Sequence, residues 1–243
     1  MKREVNKTII EDLKKQLLSL QKNNLSGDLQ HKLGLGELES AFQDKVFPQA
    51  VIHELISFSN ESAVCTNGFI SMILGKLMQD DGFSVWIGAG KHLFSPALKT
   101  FGIAPDRVLF IDTKKAKDTL WALEEAFKCN ALAAVVGEIS EFSFEESRRL
   151  QLAAERSRVT GFIHRINPKV ENAVACVSRW KITPIASITP DNMPGIGFPA
   201  WNVHLSKVRY GKTGEWQVRW LPQGLDYIRK QEISTQTIVR EIA

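Results

Sequence analysis

The sequence is short of most features that would declare a chemistry. Only three cysteines occur in 243 residues, Cys65, Cys129 and Cys176. They are odd in number and widely spaced, which argues against a disulfide framework, offers no zinc-type pair, and suits small buried hydrophobes in a reducing cytosol. No run approaches the ~20 apolar residues of a membrane span. Lys2 and Arg3 open the chain but no uninterrupted apolar stretch follows, so a signal peptide is not expected. Excess charge is small as well: 31 Lys and Arg against 27 Asp and Glu leave +4, which permits contact with nucleic acid or an acidic protein and specifies neither. Internal repeats and low-complexity blocks are missing. So is the phosphate-binding run G-x-x-x-x-G-K-[ST], whose backbone N–H groups, lysine and hydroxyl would hold a nucleotide and its magnesium.

What is present is a hydrophobic content of 44%, enough for a sizeable core. The organising stretch is 53–79, where strand-like Glu54–Phe58 leads through polar residues into an apolar helix around Phe69–Met78. That is the order in which a phosphate loop is built, without its residues. Asn67-Gly68-Phe69-Ile70 stands where Gly-Lys-Ser/Thr would sit. The one Gly-Lys pair, Gly75-Lys76, is followed by Leu77, has Ile70 at the first-glycine position, and lies inside the helical pattern.

The remainder alternates. Before the organising stretch, Val5, Ile9, Leu13, Leu17 and Leu20 recur at helical spacing, giving an amphipathic helix and linker over residues 1–27. Residues 28–52 read as loop and short helix. After it, strand-like Phe83–Ile87, Arg107–Ile111, Ala131–Val136 and Thr160–Ile166 are separated by helices near Ser95–Phe101, Lys117–Lys128 and Ser143–Arg158, the last opened by the capping box Ser143-Phe-Glu-Glu146. This predicts an α/β fold with right-handed crossovers and a mainly parallel central sheet flanked by helices. Ser178–Ser187 adds a strand, and Trp201–Val208 and Glu215–Leu221 flank Gly211-Lys-Thr-Gly214 as a β-hairpin. The core is expected to span 28–221, with 222–243 as a tail.

Several runs carry a family resemblance. They are Val85-Trp-Ile-Gly-Ala-Gly90, Pro96-Ala-Leu-Lys99, Phe101-Gly-Ile-Ala-Pro-Asp-Arg-Val-Leu-Phe110, Gly161-Phe-Ile-His-Arg165, Arg179-Trp180, Gly195-Ile-Gly-Phe-Pro-Ala-Trp-Asn-Val203 and Trp216-Gln-Val-Arg-Trp220. Together they resemble the ImuA family, RecA-like accessory proteins of the bacterial damage-induced (SOS) mutagenesis cassette. The resemblance covers roughly 45–221 and implies a RecA-like core. It implies as partners ImuB, an inactive Y-family polymerase homologue, an error-prone polymerase for translesion synthesis, and RecA. Any DNA contact would be indirect, and no membrane or cofactor is implied. A distant similarity to SulA, an inhibitor of cell division, supplies an alternative, and direct binding to single-stranded DNA another.

Against the RecA pattern, the nucleotide positions are degenerate. The loop lysine falls between Asn67 and Phe69, at Gly68 or beside it, the two acids of the second strand's Asp-Ala-Glu, the last of them the water-activating base, at Gly88 and Gly90, the Walker B aspartate at Gly137 with Glu138 one residue late, and the nucleotide-sensing glutamine at Arg165. Phosphoryl transfer depends on positioning and charge stabilisation, so these losses together predict no catalysis. Glu138 with Glu141 forms a candidate carboxylate pair at a strand end, and His164-Arg165 a candidate anion contact. The histidines show no triad motif. Partner contacts are expected on Val5, Ile9, Leu13, Leu17 and Leu20 and on Ile238 and Ile242, both outside the core. Arg148, Arg149, Arg156 and Arg158 share one helix and suit a solvated face or an acidic partner. Trp201, Trp216 and Trp220 suit hairpin core better than a base-stacking platform.

Overall fold

A computed structural model describes residues 32–79, 82–88, 93–187, 189 and 197–229. The expected amphipathic helix over 1–27, the candidates Val5, Ile9, Leu13, Leu17, Leu20, Ile238 and Ile242, and Gly90 lie outside the described residues. One nine-stranded sheet organises the rest, in the order β3-β2-β4-β5-β1-β6-β7-β8-β9. Its strands are β1 (Ile52–Ser57), β2 (Phe83–Gly88), β3 (Val108–Asp112), β4 (Leu132–Ile139), β5 (Thr160–Ile166), β6 (Ser178–Pro184), β7 (Ala200–Val208), β8 (Gly214–Leu221) and β9 (Gly224–Tyr227). From β3 through β6 every neighbour pair is parallel, and β7, β8 and β9 add antiparallel strands beyond β6. The crossover helices make this possible, because parallel neighbours cannot be joined by tight turns.

Helix α1 (Asn60–Leu77) covers one face, and α2 (Ala116–Ala126) and α3 (Phe144–Ser157) cover the other. Each face has its own core. Leu55, Phe69, Ile73, Trp86, Val136, Phe162, Trp180, Trp201 and Val203 pack on the α1 side. Ile52, Val85, Ile87, Leu123, Val135, Leu150 and Ile163 pack on the α2/α3 side. The alternation Ile52/Leu55, Val135/Val136 and Phe162/Ile163 follows from the two-residue period of a strand, and it assigns every side chain on β1, β4 and β5 to a face. β4 and β5 are buried along nearly their whole length, as strands covered on both sides must be.

Three differences from the sequence reading have physical causes. The polar loop expected ahead of Phe69 does not exist: only Phe58 and Ser59 separate β1 from α1. Ser59 acts as N-cap, accepting from the Ser62 N–H at 3.2 Å, and Thr66 and Asn67 turn inward instead of looping out. The helix near Ser95–Phe101 is 3₁₀, entered through Pro96 and ended by Gly102 at φ 75°, a left-handed conformation that glycine adopts without a Cβ penalty. Finally the sheet continues past 221, because β9 pairs with β8 and is anchored by Tyr227. The Tyr227 hydroxyl accepts from the Leu38 N–H at 2.8 Å and donates to the Leu35 carbonyl. Burial pushes that phenol up to about 12, so it stays a donor.

Candidate functional site

In open α/β sheets ligands bind beyond the carboxyl ends of the strands, with phosphates at the N-terminus of the first helix. The residues at those places here are turned toward one another. On the α1 side, the Ser57 hydroxyl lies 2.9 Å from Thr66 Oγ1 and 2.8 Å from His164 Nε2. The other ring nitrogen of His164 lies 2.8 Å from Asn67 Oδ1. Asn67 Nδ2 donates to Glu138 Oε1 at 3.3 Å, and Trp86 Nε1 donates to the same oxygen at 2.9 Å. Asn67 gives its NH₂ to Glu138 and so turns its oxygen toward His164, which therefore carries its proton on Nδ1. His164 Nε2 then accepts from Ser57, and Thr66 donates to Ser57. One directional chain of hydrogen bonds thus runs from α1 through β1 and β5 and back under α1 to β4.

Ser57–His164–Asn67 has the heavy-atom spacing of a nucleophile, base and orienting group. No histidine relay was expected from the sequence. It is closed to chemistry by burial: Ser57 is 1% exposed, Thr66 and His164 0%, Asn67 2%. A nucleophile must meet its substrate, and this one meets Thr66.

A second buried cluster occupies the opposite face. Glu54 takes Arg165 Nη1 at 2.9 Å on one oxygen and Arg179 Nε at 2.5 Å on the other. Arg165 also donates to the Val170 carbonyl, and Arg179 to the Asn172 carbonyl and to Glu171 at 3.3 Å. The two guanidiniums therefore tie the 167–177 connection to the sheet. Burial pushes the Glu171 carboxyl up, but hydrogen bonds and charge from Lys181 and Arg179 outweigh it and hold the group below its usual value.

These placements correct several expectations. Arg165 does not await an anion: it is fully buried and neutralised by Glu54, and its neighbour His164 points to the other face. Glu138 and Glu141 do not pair. Glu138 is buried beneath α1, whereas Glu141 is on the surface, accepting from the Lys169 N–H. Gly68 and Phe69 lie two turns into α1 and face Trp201, so they are packing positions and not remnants of a phosphate loop. A Cβ at Gly137 would strike Leu123 at 2.7 Å, so that position faces α2. The strand-end acid facing α1 is Glu138, which is present and engaged. A Cβ at Gly88 would come within 2.8 Å of Glu138 Oε2, so the glycine makes room for that carboxylate.

Where a phosphate would meet the helix, the chain supplies its own anion. Glu61 is in the first turn of α1, and hydrogen bonds from its own backbone N–H and from Ser59 hold its carboxyl below the usual range. Neither Phe58 nor Ser59 supplies a wrapping glycine or a lysine. The cysteines offer no substitute nucleophile: burial raises Cys65, and burial with the Glu54 charge raises Cys176. No cluster of three or more metal-ligating side chains occurs among the described residues, and no described helix is long and apolar enough to cross a membrane. Trp201 and Trp220 are buried, as hairpin core requires. Of the helix arginines, Arg149 pairs with Glu124 at 2.9 Å.

The architecture is that of the RecA-like recombinases. The crystal structure of the RadB recombinase superposes with a TM-score of 0.57 at 13% identity, covering 82% of this chain and 99% of that one. No family model matches the sequence. Among curated proteins, Protein ImuA of Caulobacter vibrioides strain NA1000 / CB15N is 29% identical over 198 residues, 76% of this chain and 81% of that protein. Protein ImuA of C. vibrioides strain ATCC 19089 matches to the same extent. The chain is thus similar to ImuA proteins over most of its length, in agreement with the resemblance carried by the quoted runs.

Proposed function

We propose that the chain is a non-catalytic RecA-like accessory protein of damage-induced mutagenesis, joining an ImuB-like polymerase homologue to an error-prone polymerase. The observation that carries the non-catalytic part is the β1–α1 junction. Two residues, Phe58 and Ser59, replace the loop that would wrap phosphates, and Glu61 stands in the first helical turn with its carboxylate already accepting from its own N–H and the Ser59 hydroxyl. The strand-end acid Glu138 is bound to Trp86 and Asn67 and so is committed to holding α1 on the sheet. Kinship with ImuA proteins supports the accessory role, and the partners come with that kinship.

The test has two arms. Purified full-length chain should neither hydrolyse ATP nor retain a fluorescent ATP analogue, and it should capture purified ImuB. Hydrolysis that is lost on substitution within 59–70 would overturn the non-catalytic reading. Failure to capture ImuB at high concentration would overturn the adaptor role and leave the non-catalytic reading intact.

A further inference from the structure

One surface of the molecule is built like a peptide groove and is used by neither polar cluster. It is a cleft of about 420 Å³ between α3 and the 174–176 segment, lined also by Lys207 and Arg209. Phe144, Arg148, Leu152 and Glu155 line it from α3 at helical spacing, so they form one stripe along the helix. The flank of α3 that carries Ser147, Leu150 and Ala154 is buried against the domain, and the buried Gln151 lies at the floor of the stripe, also lining the cleft. Phe144 is 50% exposed and Leu152 56%, two large apolar side chains separated by roughly 12 Å of helix.

The charge of the cleft is one-sided. Lys207 and Arg209 each donate to a carbonyl of the facing segment, Val174 and Ala175, at 3.1 Å. These bonds fix the cationic heads beside the cleft without neutralising them. Arg148 has no carboxylate partner among the described residues, in contrast to Arg149. The single carboxylate of the stripe, Glu155, accepts from Gln151 of its own helix at 2.7 Å. We infer that this cleft receives an acidic segment of a partner protein, carrying leucine or phenylalanine anchors about two helical turns apart that pack on Phe144 and Leu152 while its carboxylates meet Arg148, Lys207 and Arg209.

The chain's own tails are poor occupants. Residues 230–243 balance Lys230 and Arg240 against Glu232 and Glu241, and residues 1–31 hold more Lys and Arg than Asp and Glu. A second copy, with formal charge +4, is no better matched. The inference stands on the cleft alone, so the ImuB experiment can fail without touching it.

The test starts from a random phage-displayed peptide library of about a dozen residues per insert, selected on the full chain. Enriched sequences should combine acidic residues with Leu or Phe. Measured by fluorescence anisotropy, their affinity should fall about tenfold for Leu152→Ser and for Arg148→Glu, and should weaken with added salt. Trp121→Ser, at a position 65% exposed on α2, should change nothing. All three substitutions are on the surface, and a thermal melt checks that each variant is folded. The inference is overturned if no acidic–apolar class is enriched, or if the enriched peptides bind the Leu152 and Arg148 variants as they bind the parent. Two further results also overturn it: tighter binding after removal of 1–31 or 230–243, which makes the occupant a tail, and a lower molar mass for Leu152→Ser in light scattering, which makes it a second copy.

Discussion

Replacing Glu54 with glutamine should cost the folded chain about 3–5 kcal/mol, the usual penalty for leaving a buried charge without its partner. The carboxylate is fully buried and serves two guanidiniums at 2.9 and 2.5 Å. Arg165, also fully buried, would retain neutral carbonyl acceptors at Val170 and Ser140 and a distant carboxylate, Glu141 at 3.9 Å. Arg179 keeps Glu171, so the loss falls mainly on Arg165. For a chain of this length the loss corresponds to a fall of roughly 10 °C in Tm, and to an earlier urea midpoint with unchanged slope. Tryptophan fluorescence is a suitable probe, because Trp180 is buried one position from Arg179. Arg165→Met should destabilise less, since Glu54 then keeps Arg179, and the double variant should be more stable than the sum of the two single losses by at least about 1 kcal/mol. If Arg165→Met left stability unchanged and removed an activity instead, Arg165 would be a ligand contact and the structural assignment would be wrong.

Other perturbations test the rest of the frame. His53 is buried, with Nε2 donating to the Pro48 carbonyl at 2.8 Å and Nδ1 accepting from Ser178 at 2.6 Å; burial, partly opposed by the carbonyl, pushes its pKa from 6.5 down to about 4. The unfolded chain binds the proton first, so stability is full above about pH 6.5 and should fall by about 1.4 kcal/mol per unit toward pH 4; urea midpoints at pH 7 and 5 should converge in His53→Gln. In Gly75→Ala the new Cβ would meet the Phe101 carbonyl oxygen at 2.2 Å, a backbone atom that cannot swing away. The variant should lose about 1–3 kcal/mol despite alanine's better helix propensity, and a Tm at or above the parent's would show that the 95–101 segment packs elsewhere. Ser143→Ala removes one side of the capping box closed by the Glu146 bonds at 2.8 and 3.2 Å and should cost about 1 kcal/mol by urea titration.

The sheet was legible because its signals are local. The short apolar run Ala131–Val136, set between helical patterns, reads as a central strand, and Ser143 with Glu146 fixes a helix start to the residue. The start of α1 was not legible, because Asn60-Glu-Ser-Ala-Val-Cys-Thr-Asn-Gly68 has the composition of a loop. Its inward polar residues are satisfied by partners outside the helix, Ser57, Glu138 and, 97 residues from Asn67, His164. β9 was missed for a similar reason: four residues, Gly224–Tyr227, carry little pattern, and their anchor is the hydroxyl of Tyr227 on Leu35 and Leu38. The face of each acid was available in principle. Strand alternation from Val136 places Glu138 under α1 and Gly137 under α2, which a position-by-position match to a motif does not register.

That alternation changes how the strand ends read. The acid there, Glu138, belongs to a network of mutually dependent buried side chains. Gly88 must lack a side chain for Glu138 to fit, Glu138 holds Asn67, and Asn67 orients His164 toward Ser57 and Thr66. A single substitution that restored an acid at 88 would collide with Glu138, and one that freed Glu138 would leave Trp86 Nε1 without its acceptor in the core. Changes in such a unit are strongly non-additive, so freeing these strand ends for a ligand would need several replacements at once. The network holds α1 rigidly on the sheet, and the surfaces left for function are those outside it, the cleft along α3 among them.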